Sequence, residues 1–525
     1  MIGQCLGWIR YVAFALAMQT SAHAAETVDV LLARGECSAA LTIVRAAVAD
    51  EGSRAATRHA DALAEASRVG LDCAGVDPDE LDGWLARELA LRMPSGADSP
   101  AVGKVELKQA RRDLQRNKTE VAFESLRALD VRASSSHWPA GLRAQIFDQL
   151  SAIHNMRAEG PAAFAAAGRA IDLARSVGDR ATLEQALGNR AFALLRMRRG
   201  AEALLVLVEA EHIARELYGA NSLDRAEILR RTGQAQRELG DFGSAIGSLE
   251  QALAIQRAQV DPVPRRIANV LLTLGQTLKM SGDSERALTR YEEALAAEDE
   301  GADPNSRLRP VILHALANLH RDSDRNALSI PLYAQAVTTF ETIYGAQSAQ
   351  LAQLLNNYAN AEANLGRYDA AVEKYRRSLA ITKALQSGDP ADVLPLSNIA
   401  MIEVWRGRHV QAEADFRATI AALQDVAAGS ESSALFPMIG LAASLWGQQR
   451  FDEAFAAAVD AEYLREAALR LAAGRLAEHH AMGYQEYLRP SLDFVIAIAA
   501  ASGKTEHIER AWELSIAARD QVTAV

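Results

Sequence analysis

Three short groups of residues have types that could do chemistry. Gly503-Lys504-Thr505 has the ending of a phosphate-binding loop. Such a loop needs a glycine five positions before Gly503 and a preceding strand, so that backbone N–H groups can cradle phosphate. Ile498 stands at that position and the surroundings have a helical pattern, which makes the segment a solvated turn between helices. Glu478-His479-His480 offers metal-ligating types. Neighbouring side chains on a helix diverge by about 100° and do not converge on one ion. With no His-Glu-x-x-His spacing present, these three are expected on a polar helix surface. Cys37 and Cys73 lie near the N-terminus without a histidine partner that would make either a nucleophile. The sequence therefore carries no expected catalytic residue, metal site or cofactor.

The elements that position the remaining polar residues come from an internal repeat. Small residues recur at Ala191, Gly233, Gly275, Ala317, Ala359, Ala400 and Ala442, in steps of 41 or 42. A turn column holds Gly240, Gly282, Gly366 and Gly407, with Asp324 and Gln449 in its other slots. A third column holds Ala203, Ala245, Ala287, Ser329, Ala371, Ala412 and Ala454. A fourth holds Leu207, Leu249, Tyr291, Tyr333, Tyr375 and Phe416. The stretch Leu274–Leu295 shows the unit whole: two amphipathic helices about a turn at Gly282. Small residues let the helices approach closely, and the aromatic fills the space between hairpins. The pattern resembles the tetratricopeptide repeat (TPR), lengthened from the common unit of about 34 residues. The connections Leu217–Leu229 and Ile343–Ala359, with the pair Asn356-Asn357, resemble the repeats of kinesin light chains.

The resemblance implies an all-α fold: a TPR α-solenoid, a right-handed superhelix of antiparallel helix hairpins. It also implies a groove lined by the first helix of each hairpin, at positions three before, one after and four after the small residue. Those positions nominate Arg230, Gln234, Arg237, Leu272, Gln276, Lys279, His314, Asn318, Arg321, Asn356, Asn360 and Ala363, with Asn357 and Asn398 beside them. Carboxamides match both the N–H and the C=O of an extended peptide backbone, and Arg or Lys can hold a carboxylate. The expected partner is a protein or extended peptide of some acidic character; an ordinary wet helix face is the alternative. The net charge of −11 argues against a nucleic-acid or anionic-membrane surface.

Residues 1–24 read as a secretory signal. Arg10 supplies positive charge, Tyr11–Met18 an apolar core too short to span a bilayer, and Ala22-His23-Ala24 a cleavage site. An exported chain, periplasmic or extracellular, is expected, with no later membrane span; a buried N-terminal helix is the alternative. Removal of the signal leaves Cys37 and Cys73. They invite a disulfide on the same rim of adjacent hairpins, or else are two small buried residues. Residues 25–93 are expected to form degenerate hairpins with a turn at Gly70. Residues 94–103 read as a linker, 104–473 as the repeat array and 474–525 as C-terminal helices. In that last segment Ala511, Glu513, Leu514, Ala518 and Arg519 resemble a junction helix of bacterial TPR proteins that continue into a CHAT domain, a caspase-like peptidase fold. That resemblance implies the recognition or regulatory arm of a peptidase whose catalytic domain this sequence does not include. Trp405, Trp446 and Trp512 are expected in packing between hairpins. Oligomeric state is left open by the sequence.

Overall fold

The structure, a computed structural model, describes residues 28, 31–32, 37–49, 56–73, 76–116, 118–301, 306–385, 394–424, 431–473 and 490–523. The signal segment with its cleavage site, and Glu478-His479-His480, lie outside the described residues. Among the described residues there are 23 α-helices. None is long and apolar enough to cross a membrane. The chain divides into two compact units, residues 1–283 and 284–525.

The first unit opens with the helices Cys37–Ala49, Ala56–Asp72 and Pro78–Arg92. Cys37 and Cys73 form a disulfide across this segment, with Cα atoms 5.5 Å apart. Gly70 is not at a turn. It lies inside the second helix, where a Cβ would stand 2.9 Å from Leu81 Cδ1, so it serves close packing. The expected linker is also shorter than 94–103, because Ser99 caps a helix that starts at Pro100. Proline is pre-organised for a first helical turn, where its missing N–H has no role. Hairpins follow as Pro100–Gln115 with Thr119–Ser135, Ala140–Met156 with Gly160–Val177, Arg180–Arg196 with Gly200–Tyr218, and Leu223–Glu238 with Phe242–Arg257. Pro264–Met280 ends the unit. The second unit begins with Ser284–Gly301 and continues as Arg309–Asp322 with Asn326–Tyr344, Ala349–Asn364 with Tyr368–Leu385, Leu394–Trp405 with His409–Gln424, and Leu435–Gly447 with Phe451–Ala473. Pro490–Ser502 and Thr505–Thr523 close it.

The repeat columns coincide with the buried interior. Ala203, Ala245, Ser329, Ala371, Ala412 and Ala454 are completely buried, and so are Leu249, Tyr333 and Phe416 one turn further along their helices. At Gly233 a Cβ would meet Leu249 Cγ at 2.6 Å, so this hairpin closes only around glycine. The turn column has one backbone conformation throughout. Arg198, Gly240, Gly282, Asp324, Gly366, Gly407 and Gln449 all have positive φ, between 56° and 89°. The following residue then bonds back across the helix end, as in Asp283 N–H to Leu278 O at 2.9 Å and Arg367 N–H to Glu362 O at 2.9 Å. This six-residue closure satisfies carbonyls that the helix end would leave orphaned. Arg198, Asp324 and Gln449 hold the left-handed geometry at a cost that glycine does not bear.

Candidate peptide-binding face

The first helix of each hairpin carries the nominated residues, and a common register sets what they touch. The residue two before the small residue of one such helix meets the residue three before it on the preceding hairpin. In the second unit Asn398 Nδ2 donates to Asn356 Oδ1 at 3.0 Å, and Asn357 Nδ2 lies 3.0 Å from His314 Nε2. In the first unit Asn189 Nδ2 donates to Asp148 Oδ1 at 2.8 Å. Gly188 holds the same place opposite Arg231, whose Nη1 would be 2.9 Å from a Cβ there. Asp148 and Asn189 were not nominated from the sequence, although the column position three before Ser151 points to the first of them.

Asn318 and Asn360, each one after the small residue, turn to the second helix of their own hairpin. Asn318 Oδ1 accepts from the Tyr333 hydroxyl at 2.7 Å, and Asn360 Oδ1 accepts from the Tyr375 hydroxyl. Both phenols are buried, and burial raises their pKa above the ordinary value. An unpartnered hydroxyl at such a site costs free energy, so these two amides support the hairpin as well as facing its surface. Arg321 is paired with its neighbour Asp322 at 2.7 Å. Tyr333 stacks on Tyr358 at 5.5 Å, and Lys374 Nζ sits 4.5 Å from the Tyr358 ring centroid.

In the first unit, Arg230 is buried against Glu227, with bonds of 2.9 and 2.7 Å, so its charge is already neutralised. Arg237 Nη1 donates to Gln276 Oε1 at 2.7 Å and joins two nominated residues. Gln234 Oε1 is buried and accepts no hydrogen bond from a described residue. Lys279 is half-buried, whereas Leu272 and, in the second unit, Ala363 are buried and line no surface. The first unit also buries two carboxyl groups near this face. Burial pushes Asp148 up to about 6, against the bonds from Asn189 and Gln149 that favour its charge. Burial, with Asp224 adding repulsion, pushes Glu184 up to about 8.

The same columns continue into the C-terminal hairpins with different chemistry. Ser397 is buried with its Oγ unpartnered, because Gly440 stands where the next hairpin would supply a side chain. Met401, Val404, Ile439, Ala443 and Trp446 then line an open recess of about 400 Å³, together with Trp405 and Phe494. Trp405 and Trp512 are 55% and 69% exposed, so neither is a core residue, although Trp405 does pack between hairpins, with its ring centroid 5.7 Å from that of Tyr368. At Gly503-Lys504-Thr505 the chain makes a turn between helices, and Lys504 is paired with Asp452. Among the described residues no group of three His, Cys, Asp or Glu side chains is placed to hold a metal ion.

The sequence model of the tetratricopeptide repeat family matches residues 182–258 and 308–384, one block in each unit. The two matched blocks are tetratricopeptide repeats, and the fold is an all-α TPR solenoid. A Rap protein complexed with Competence and Sporulation Factor is similar in structure, with a TM-score of 0.50 at 15% sequence identity over 70% of this chain and 98% of that one. The apo form of RapI aligns with a TM-score of 0.42 at 15% identity, over 54% of this chain and 98% of its own. BtubC (BKLC) from P. vanneervenii aligns with a TM-score of 0.35 at 19% identity, over 52% of this chain and 91% of its own. None of the curated proteins matches the sequence.

Proposed function

We propose that the chain is an exported, non-catalytic TPR scaffold that holds an extended peptide or protein segment on the first-helix face of its second unit. The observation that carries this reading is the Asn356–Asn398 pair. It uses one donor and one acceptor internally, leaving Asn356 Nδ2 and Asn398 Oδ1 unused among the described residues. A spare donor beside a spare acceptor matches the C=O and N–H of one peptide unit. The Rap protein of similar fold, complexed with Competence and Sporulation Factor, supports the choice of a binding role. Export rests on the composition of residues 1–24, and an intact mass that begins at Ala25 in secreted protein would support it.

A library of random peptides displayed on phage and panned against the full chain tests the binding role. Recovered peptides should bind with fluorescence-polarisation titrations that weaken roughly two- to tenfold for the Asn356→Ala/Asn398→Ala double variant. Recovery of no peptide, or wild-type affinity in the double variant, would contradict the reading.

A second reading makes the array the recognition arm of a CHAT-type peptidase. What supports it is the final helix, where Ile508, Trp512 and Ile516, four residues apart, expose one apolar stripe. Such a stripe is the surface a following domain would cover. The genomic sequence beyond the Val525 codon tests this, since an α/β region with a His and a Cys is required.

A further inference from the structure

The apolar recess at Leu394–Trp405, Leu435–Gly447 and Pro490–Ser502 has chemistry that the polar row does not share. Its lining is Met401, Val404, Trp405, Ile439, Ala443, Trp446, Gly447 and Phe494. Among the described residues that line it no side chain is charged, and the two indole N–H groups are the only side-chain donors. Three of the lining residues are aromatic. Trp446 and Phe494 meet edge to face, with centroids 5.5 Å apart and planes at 77°. Trp405 packs on Tyr368 at 5.7 Å and still leaves more than half its surface to solvent. Water in such a recess finds few partners, so displacing it with an apolar group is favourable.

Its place in the repeat says what can fill it. Met401, at the near edge of the recess, follows Asn398 by three residues on one helix, a rise of about 4.5 Å along the axis from the Asn356–Asn398 pair. A ligand whose backbone lies on that amide pair therefore has its neighbouring side chain beside the recess. Ring edges and faces around the lining favour an aromatic guest over an aliphatic one, and Met401 adds a polarisable thioether. A volume of about 400 Å³ lies at the small end of ligand sites and leaves ample room for one aromatic side chain.

We infer that this recess is the anchor pocket of the peptide site, and that it receives one aromatic side chain of an extended peptide whose backbone is held by Asn356 and Asn398. The inference rests on the peptide-binding reading above and specifies what that peptide must contain. Two substitutions close or open the pocket without touching the amide pair. Ala443→Arg fills it with a charged side chain, and Trp405→Ala removes one wall. Because Trp405 is largely exposed, its removal leaves the fold intact, which covers the case in which Ala443→Arg does not fold.

The experiment pans the random phage-displayed peptide library against the full chain, then titrates the best fluorescein-labelled peptide and its aromatic→Ala version. Recovered peptides should share an aromatic residue. Its replacement by Ala should weaken binding about tenfold or more, and so should Ala443→Arg or Trp405→Ala in the protein. If recovered peptides carry no shared aromatic residue, or bind the pocket variants with wild-type affinity, the anchor falls while the peptide-binding role stands. If no peptide is recovered, both fall. If Ala443→Arg instead converts a dimer to a monomer by light scattering, the recess is a contact between copies of this chain and the inference is overturned.

Discussion

One hydrogen bond occurs in the same register in both units, with opposite electrostatic consequences. In the first unit Asn189 donates to the Asp148 carboxyl; in the second, Asn398 donates to the neutral carboxamide of Asn356. The repeat geometry sets which positions meet, and the side-chain type sets what the meeting costs. A buried carboxyl has to be desolvated, so Asp148 and, nearby, Glu184 hold their protons more tightly than free carboxyls. A carboxamide pair pays no such penalty and retains neutral hydrogen-bonding capacity. The first unit thus has a face that titrates, while the second has one that offers amides and then an apolar pocket.

The largest expected effect concerns the disulfide, which belongs to the first unit. Closing a loop of this length with a disulfide stabilises by about 4 kcal/mol on the chain-entropy model. Reduction, or Cys37→Ser with Cys73→Ser, should lower hydrogen-exchange protection in the helices 37–92 and leave residues 306–385 unchanged. Equal loss in both regions would break the comparison. Thiol labelling of denatured, unreduced protein should find neither cysteine free.

The next effect is on pH dependence. Asp148 rises from 3.8 to about 6 on folding and Glu184 from 4.5 to about 8. Both raised groups bind protons more tightly when folded, so the stability they contribute is fully present below about pH 4. As pH rises toward 8 the unfolded chain ionises first and the contribution is lost; above about pH 8 the slope ends. Denaturation followed in the first unit should show a loss of a few kcal/mol across that window. Glu184→Gln should flatten most of it, whereas Asn398→Ala should leave the slope unchanged. A slope that survives Glu184→Gln would place the titration elsewhere.

A smaller effect separates support from binding within the second unit. Asn360→Ala leaves the Tyr375 hydroxyl buried without its acceptor and should cost about 1–3 kcal/mol. Adding Tyr375→Phe should recover most of that loss, because both polar groups are then gone. Failure to recover would show that Asn360 acts through some other contact. The smallest effect is at the turns. Gln449→Gly should stabilise by up to about 1 kcal/mol in thermal melts, since φ of 62° suits glycine better than glutamine.

The hairpins were legible in the sequence because small residues and turns recur with one period, and those columns are the buried interior and the left-handed turns. Even the departures fit, since Asp324 and Gln449 take the backbone geometry of the glycines they replace. Gly70 differs from the turn glycines because close packing and a turn both select glycine, and the type alone does not say which. The polar row was legible as a set of positions but not as a set of partners. That Asn360 meets Tyr375, or that Arg230 is neutralised by Glu227, depends on rotamers and burial that spacing does not encode. The recess lies beyond the nominated columns, which end at Ala363. Carried two hairpins further, they name Met401, Val404, Ile439, Ala443 and Trp446.

The most direct test of the account is hydrogen–deuterium exchange of the full chain with and without a saturating selected peptide. Added protection should fall on Ala349–Asn364, Leu394–Trp405 and Leu435–Gly447, with the second helices Tyr368–Leu385 and His409–Gln424 little changed. Protection confined to those second helices, or to the first unit, would contradict a peptide site on the amide-and-pocket face.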